Sequence, residues 1–117
     1  MWYTIITAGR DNTGAVAAKV STDAQSPWFS GHFPGDPVLP GIAQLHMITA
    51  CIEQVLQRQF VLQNLARVKF KKLIRPGDVL DIHADAGKKE HNYTFSIQHN
   101  NQQVCSGRLV LAPRKEQ

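Results

Sequence analysis

Residues 28–46 read WFSGHFPGDPVLPGIAQLH, and within them residues 31–41 hold three of the chain's six prolines and three of its eight glycines around one histidine. Pro34, Pro37 and Pro40 each fix their own φ, remove an N–H and bias the preceding residue away from helix, so Gly31 to Leu39 should be extended or turned. Gly31, Gly35 and Gly41 allow a positive φ or a close approach to the backbone. The segment should therefore hold His32 rigidly. Pro40 suits the first turn of a helix, which leaves the N–H groups from Gly41 onward without intrahelical partners and open to an anion or a polarised carbonyl. A fixed imidazole beside such donors pairs a base with an oxyanion stabiliser. A rigid connector in which His32 merely packs accounts for the same residues, and local chemistry alone does not choose between the two.

Working outward, Ile42, Leu45, Thr49, Ile52 and Leu56 recur at steps of three and four, which predicts one helix face in a run ending near Gln59. Ile48 and Val55 widen the apolar side, so this helix should be largely buried. Upstream, Trp2 to Thr7 and Ala15 to Ser21 flank an Asp11-Asn12-Thr13-Gly14 turn and read as a hairpin. Downstream, strands are expected over Leu65 to Ile74, Val79 to Ala84, Tyr93 to His99 and Gln103 to Leu111. The turns between them fall at Arg75-Pro76-Gly77-Asp78, around Gly87 to Glu90, and at Asn100-Asn101. Two strands, a buried helix and an antiparallel run make an α+β plan, one domain over residues 1–117 in which the sheet wraps the helix. Arg114 to Gln117 should fray.

Composition narrows the function classes. With 43% hydrophobic and 19% charged residues, the 117-residue chain has an ordinary globular balance, which argues against disorder. No apolar run approaches membrane-spanning length and Met1 to Ile6 lacks a basic leader, so a cytoplasmic protein is expected. Cys51 and Cys105 are far apart and lack metal-ligand spacing; they should be small buried hydrophobes, with neither a disulfide nor a metal. The net charge of +4 gathers at Arg67, Lys69, Lys71, Lys72 and Arg75 and again at Arg114 and Lys115. Such a patch would steer an acidic protein or a phosphorylated ligand towards the chain, or it is simply a solvated strand face. Nucleic acid is disfavoured because stacking aromatics are not interleaved with the charges.

The segment GHFPGDPVLPG, the long helix directly after it and the later RPGD turn resemble the β-hydroxyacyl-acyl carrier protein dehydratases of the FabA/FabZ type, which have the hotdog fold. The resemblance spans nearly the whole chain in element order. It implies a homodimer with sheets paired edge to edge and two active sites at the interface, without a cofactor beyond the phosphopantetheine that carries the substrate. His32 matches the family's catalytic histidine, and Gly41 the glycine whose N–H binds the thioester carbonyl. Leu39 stands where methionine is frequent. The basic residues Lys69, Lys71, Lys72 and Arg75 would face the acidic carrier protein.

One position departs from the pattern. Five residues after Gly41 the family carries a Glu or Asp, and here that residue is His46. His46 should sit at the margin of the apolar stripe, about 40° from Ile42 at 100° per residue. Glu53 is about 10 Å further along the axis, too far to substitute directly for the missing acid. Asp36, in a Gly-Asp-Pro turn, more often bonds its own backbone; both remain candidate supporting residues. Without the resemblance, a lone histidine in an apolar helix reads as a core residue. Three activities fit these residues: a dehydratase with a His32/His46 pair, serving fatty acid or polyene-type chains; a hotdog thioesterase; or a non-catalytic acyl-binding subunit partnering a related dehydratase.

Overall fold

The computed structural model describes residues 3–23 and 41–115. Strands β1 (Tyr3–Arg10) and β2 (Val16–Thr22) precede helix α1 (Gly41–Leu56), and β3 (Phe60–Phe70), β4 (Val79–Ala86), β5 (Asn92–His99) and β6 (Gln102–Pro113) follow it. The six strands form one antiparallel sheet in the order β1-β2-β4-β5-β6-β3. One face of this sheet packs on α1, the hotdog arrangement that the sequence suggests.

Turn chemistry joins the strands as the residue types dictate. Asp11 Oδ1 accepts from the Thr13 N–H at 2.8 Å, the Thr13 hydroxyl at 2.6 Å and the Ala15 N–H at 3.1 Å, closing the β1–β2 hairpin. The Thr13 bonds, hydroxyl first, hold the Asp11 carboxyl below its ordinary pKa. At the RPGD turn, Gly77 has φ +85° and Asp78 Oδ2 accepts from Arg75 N at 2.8 Å. Asn100 and Asn101, at φ 51° and 63°, make the tight β5–β6 turn.

The core is built from alternation in the central strands. Val16 and Val20 of β2, Leu80 and Ile82 of β4, and Phe95 and Ile97 of β5 are buried against Met47, Ile48, Cys51 and Ile52 of α1. Burial pushes the Cys51 thiol up to about 12 and Cys105 to about 11, so both behave as the inert apolar residues expected of them.

Three expectations need correction. The buried side of α1 is centred on Gln44, Ile48 and Cys51, whereas Ile42 is 59% exposed. Ile42 lies about 180° from Cys51 around the helix, so the stripe drawn through Ile42 was rotated away from the true one. The strand expected over Leu65 to Ile74 runs instead over Phe60–Phe70. It is a sheet edge, mostly exposed, and its register shifts between Leu62 and Asn64 and between Ala66 and Lys69, where Arg67 has φ +55°. These irregularities break the period-2 pattern that would have marked it. Arg114, expected to fray, donates its N–H to the Gln59 carbonyl at 2.9 Å.

The two ends of β3 are tied to the helix. Glu53 Oε2 accepts from the Phe60 N–H at 2.8 Å, and Arg58 lies over the Phe60 ring at 5.6 Å. Glu53→Ala should cost about 1–3 kcal/mol of stability by leaving that buried N–H unmet, and Glu53→Gln, which keeps an acceptor, should cost less; urea denaturation midpoints will compare them. Gly107 is equally constrained, since a Cβ there would lie 2.9 Å from Phe95 Cζ and 3.0 Å from the Val68 Cα. Gly107→Ala should therefore destabilise by about 1–3 kcal/mol through overpacking, while Gly9→Ala, with nothing within 4 Å, avoids that clash. The thiols give a pH signature. A folded-state pKa raised above the usual 9.0 contributes stability that is whole below pH 9 and is lost as pH rises towards 11 and 12. The unfolding midpoint of Cys51→Ala/Cys105→Ala should accordingly fall less than that of the wild type across this window.

Candidate active site

Gly41 is the first residue of α1 among the described residues, and N–H groups in the first turn of a helix lack a carbonyl within it and carry the positive end of its dipole, which suits a developing oxyanion. The absence of a side chain at Gly41 is used: a Cβ there would lie 2.6 Å from Phe70 Cζ and 3.0 Å from both Cε atoms. The ring that ends β3 thus rests on the first residue of the helix. Sequence reasoning missed Phe70, because only the end-to-end return of β3 along α1 brings residue 70 to residue 41.

His46 is exposed, on the side of α1 turned from the core, one turn beyond the exposed Ile42. This position removes the reading of His46 as a core residue and corrects the expectation that it borders the buried stripe. Phe70, at 52%, and Leu73, at 59%, add exposed apolar area. Glu53 is not brought to His46; it is spent on the Phe60 N–H and lines a surface depression with Arg58, Gln59 and Arg114 near the C-terminal end of α1. His32 and Asp36 lie outside the described residues.

The basic run divides. Lys69 is the penultimate residue of β3, and Lys71 and Lys72 lie past the strand's end, both donating their N–H to the Val104 carbonyl, at 2.8 and 3.3 Å. Their ammonium groups reach the side-chain oxygens of Gln103 and Gln102 respectively. Arg75 belongs to the turn held by Asp78. Arg67, Lys69 and Lys71 line a second depression together with Arg108, a cation that sequence reasoning overlooked. Among the described residues no helix is long and apolar enough to cross a membrane, and no cluster of three or more His, Cys, Asp or Glu could hold a metal ion.

Comparison with known proteins agrees with this arrangement. A 3-hydroxyacyl-[acyl-carrier-protein] dehydratase FabZ from Syntrophomonas wolfei is 31% identical over 108 residues, covering 84% of this chain and 74% of the relative. The FabZ of Pediococcus pentosaceus is 28% identical over 108 residues, covering 83% and 72%. The dehydratase heterocomplex ApeI:P from Xenorhabdus doucetiae contains a chain that superposes with a TM-score of 0.82 at 25% identity, over 96% of this chain and 99% of that one. The ApeI-like family, described as ApeI dehydratase, matches residues 8–108. With a hotdog sheet, a helix opening on Gly41 and a family match over most of its length, the chain belongs to the ApeI-like dehydratases of the FabA/FabZ type.

Proposed function

We propose that this chain removes water from a 3-hydroxyacyl thioester carried on the phosphopantetheine of an acyl carrier protein, yielding a trans-2-enoyl thioester for fatty acid or polyene-type chains. The observation that carries the reading is helix α1 running from Gly41, the last residue of the GHFPGDPVLPG segment, in a chain of this family. Elimination needs a base for the C2 proton, a donor for the carbonyl as enolate charge grows, and an acid for the departing hydroxyl. His32 takes the first part and the Gly41 N–H the second. His46 takes the third: its protonated imidazole gives an N–H proton to the departing hydroxyl as the C–O bond breaks and ends neutral, and solvent then relays the C2 proton from His32 back to His46. Asp36 and Glu53 take no part in proton transfer in this scheme.

The exposure of His46, Ile42, Phe70 and Leu73 supports pairing of two chains in a cytoplasmic protein, because a dimer would cover this apolar face. Exposed Val61 and Leu65 on edge strand β3 favour the same arrangement. The heteromeric assembly of the Xenorhabdus doucetiae protein favours a second form, in which the partner is a related dehydratase subunit. Native mass spectrometry of the chain alone should give a dimer; a strictly monomeric mass would leave the heteromer.

Mass spectrometry of 3-hydroxyacyl thioesters incubated with the protein reads the reaction directly, since dehydration, hydrolysis and inert binding give different masses. Unchanged or hydrolysed thioester would refute the proposal. His32→Ala should abolish dehydration with little change in melting temperature. His46→Ala should lower the rate by about 10²–10⁴, the range of a general acid. His46→Glu should keep or raise it, and equal rates for wild type, Ala and Leu at position 46 would remove His46 from the mechanism.

A further inference from the structure

One inner-face row of the sheet leads from the core to the start of the helix. Ile82 of β4 pairs with Ile97 of β5, Ile97 with Cys105 of β6, and Cys105 with Phe70 of β3. The first three are buried, whereas Phe70 is half exposed, because the sheet ends at β3. Directly after it, Lys71 and Lys72 donate their N–H groups to the Val104 carbonyl at 2.8 and 3.3 Å. The backbone is thus anchored to β6 at Phe70 and just beyond it, which fixes where the ring can reach.

The ring points its tip at Gly41. A Cβ at that position would have Cζ and both Cε atoms of Phe70 as its three nearest neighbours, at 2.6, 3.0 and 3.0 Å. Since a Cα–C bond is about 1.5 Å, Cζ lies at most about 4.1 Å from the Gly41 Cα, in van der Waals contact. In a helix the Cα–Cβ direction tilts towards the N-terminus, the end at which the first N–H groups are open to a ligand. The ring tip and a carbonyl bonded to the Gly41 N–H are therefore neighbours. A hydrogen bond of about 2.9 Å to that carbonyl oxygen sets C2 of the acyl chain roughly 4–5 Å from the nitrogen, within reach of the ring. The tip is also the positive edge of the aromatic quadrupole, so enolate charge growing on the oxygen does not expel it.

We infer that Phe70 is a specificity-determining residue, a wall beside C2 that admits 3-hydroxyacyl thioesters unsubstituted at that carbon and turns away those with a C2 branch. The inference rests on the dehydratase reading proposed above, in which the Gly41 N–H binds the thioester carbonyl. Of the two hydrogens on C2 the base removes one. A methyl group in place of the other has to displace a ring whose backbone β6 holds. Leu73, exposed three residues later, contributes none of the atoms nearest the Gly41 position and serves as the comparison.

The test gives the full chain 3-hydroxyoctanoyl pantetheine and its 2-methyl analogue, with both C2 epimers included. The analogue keeps one C2 hydrogen, so elimination is open to either compound. Wild type should favour the unbranched thioester by about tenfold or more in kcat/KM, the low end of what one methyl group is worth in an apolar site. Phe70→Ala and Phe70→Leu, with unchanged circular dichroism, should each narrow that ratio by about fivefold or more, and Leu73→Ala should leave it within about twofold. The ratio is the readout because a variant that merely loosens the helix start slows both substrates alike. Octanoyl pantetheine and 2-methyloctanoyl pantetheine, which have no hydroxyl to lose, are titrated alongside by calorimetry and should show the same preference and the same relaxation. Equal handling of branched and unbranched compounds by wild type, a preference that both Phe70 variants retain, or one lost in Leu73→Ala alone would overturn the inference. Turnover of the unbranched thioester without the preference sinks the wall alone. A Phe70-dependent binding preference without turnover sinks the dehydratase reading alone, and with neither turnover nor preferential binding both fall.

Discussion

Everything in this molecule depends on one helix having its Gln44-Ile48-Cys51 side sealed against the sheet. Met47, Ile48 and Ile52 are fully buried there, each contributing on the order of 1.5–3 kcal/mol relative to exposure. The sheet can close around α1 because β2, β4 and β5 alternate cleanly and send Val20, Leu80, Ile82 and Ile97 to one side. Once that seam is fixed, the rotation of the helix is fixed with it. The outward side then carries Ile42 and His46, so burial of one face is what presents the other.

The same seam decides which chemistry the helix can serve. Its N-terminal donors come at Gly41, and the missing side chain lets an aromatic ring from a strand end lie directly on that backbone. A larger residue would have to push the Phe70 ring aside. Glu53, the carboxylate on α1, is committed at the other end to the entry of β3. That commitment is why the proposal gives the proton donor's part to the imidazole of His46 rather than to a carboxylate of this helix.

Legibility followed physical locality. Turns whose geometry is set by their own residues, such as Asp11 to Gly14, Pro76-Gly77 and Asn100-Asn101, could be read directly. So could the existence of the helix. Its orientation could not, because polar Gln44 is buried at 3% exposure while apolar Ile42 points away, opposite to what hydropathy alone assigns. β3 hid its start because an exposed, bulged edge strand keeps no alternation. The family was legible from the prolines and glycines around His32, whereas the nearness of Phe70 to Gly41 arises only from the way β3 returns along α1.

The ties at Phe60 and Phe70 turn α1 and β3 into a closed loop with a length condition. From Gly41 to Glu53 the helix advances about 18 Å, while a straight strand from Phe60 to Phe70 would advance about 33 Å. The excess has to be absorbed by oblique crossing and by curvature, and the two register shifts of β3 supply places where the strand bends. Lengths of helix and strand are thus not free to drift independently: a residue inserted in one must be matched in the other, or one tie is released. Variation in chain length should collect in the β4–β5 and β5–β6 turns, which bear no such obligation.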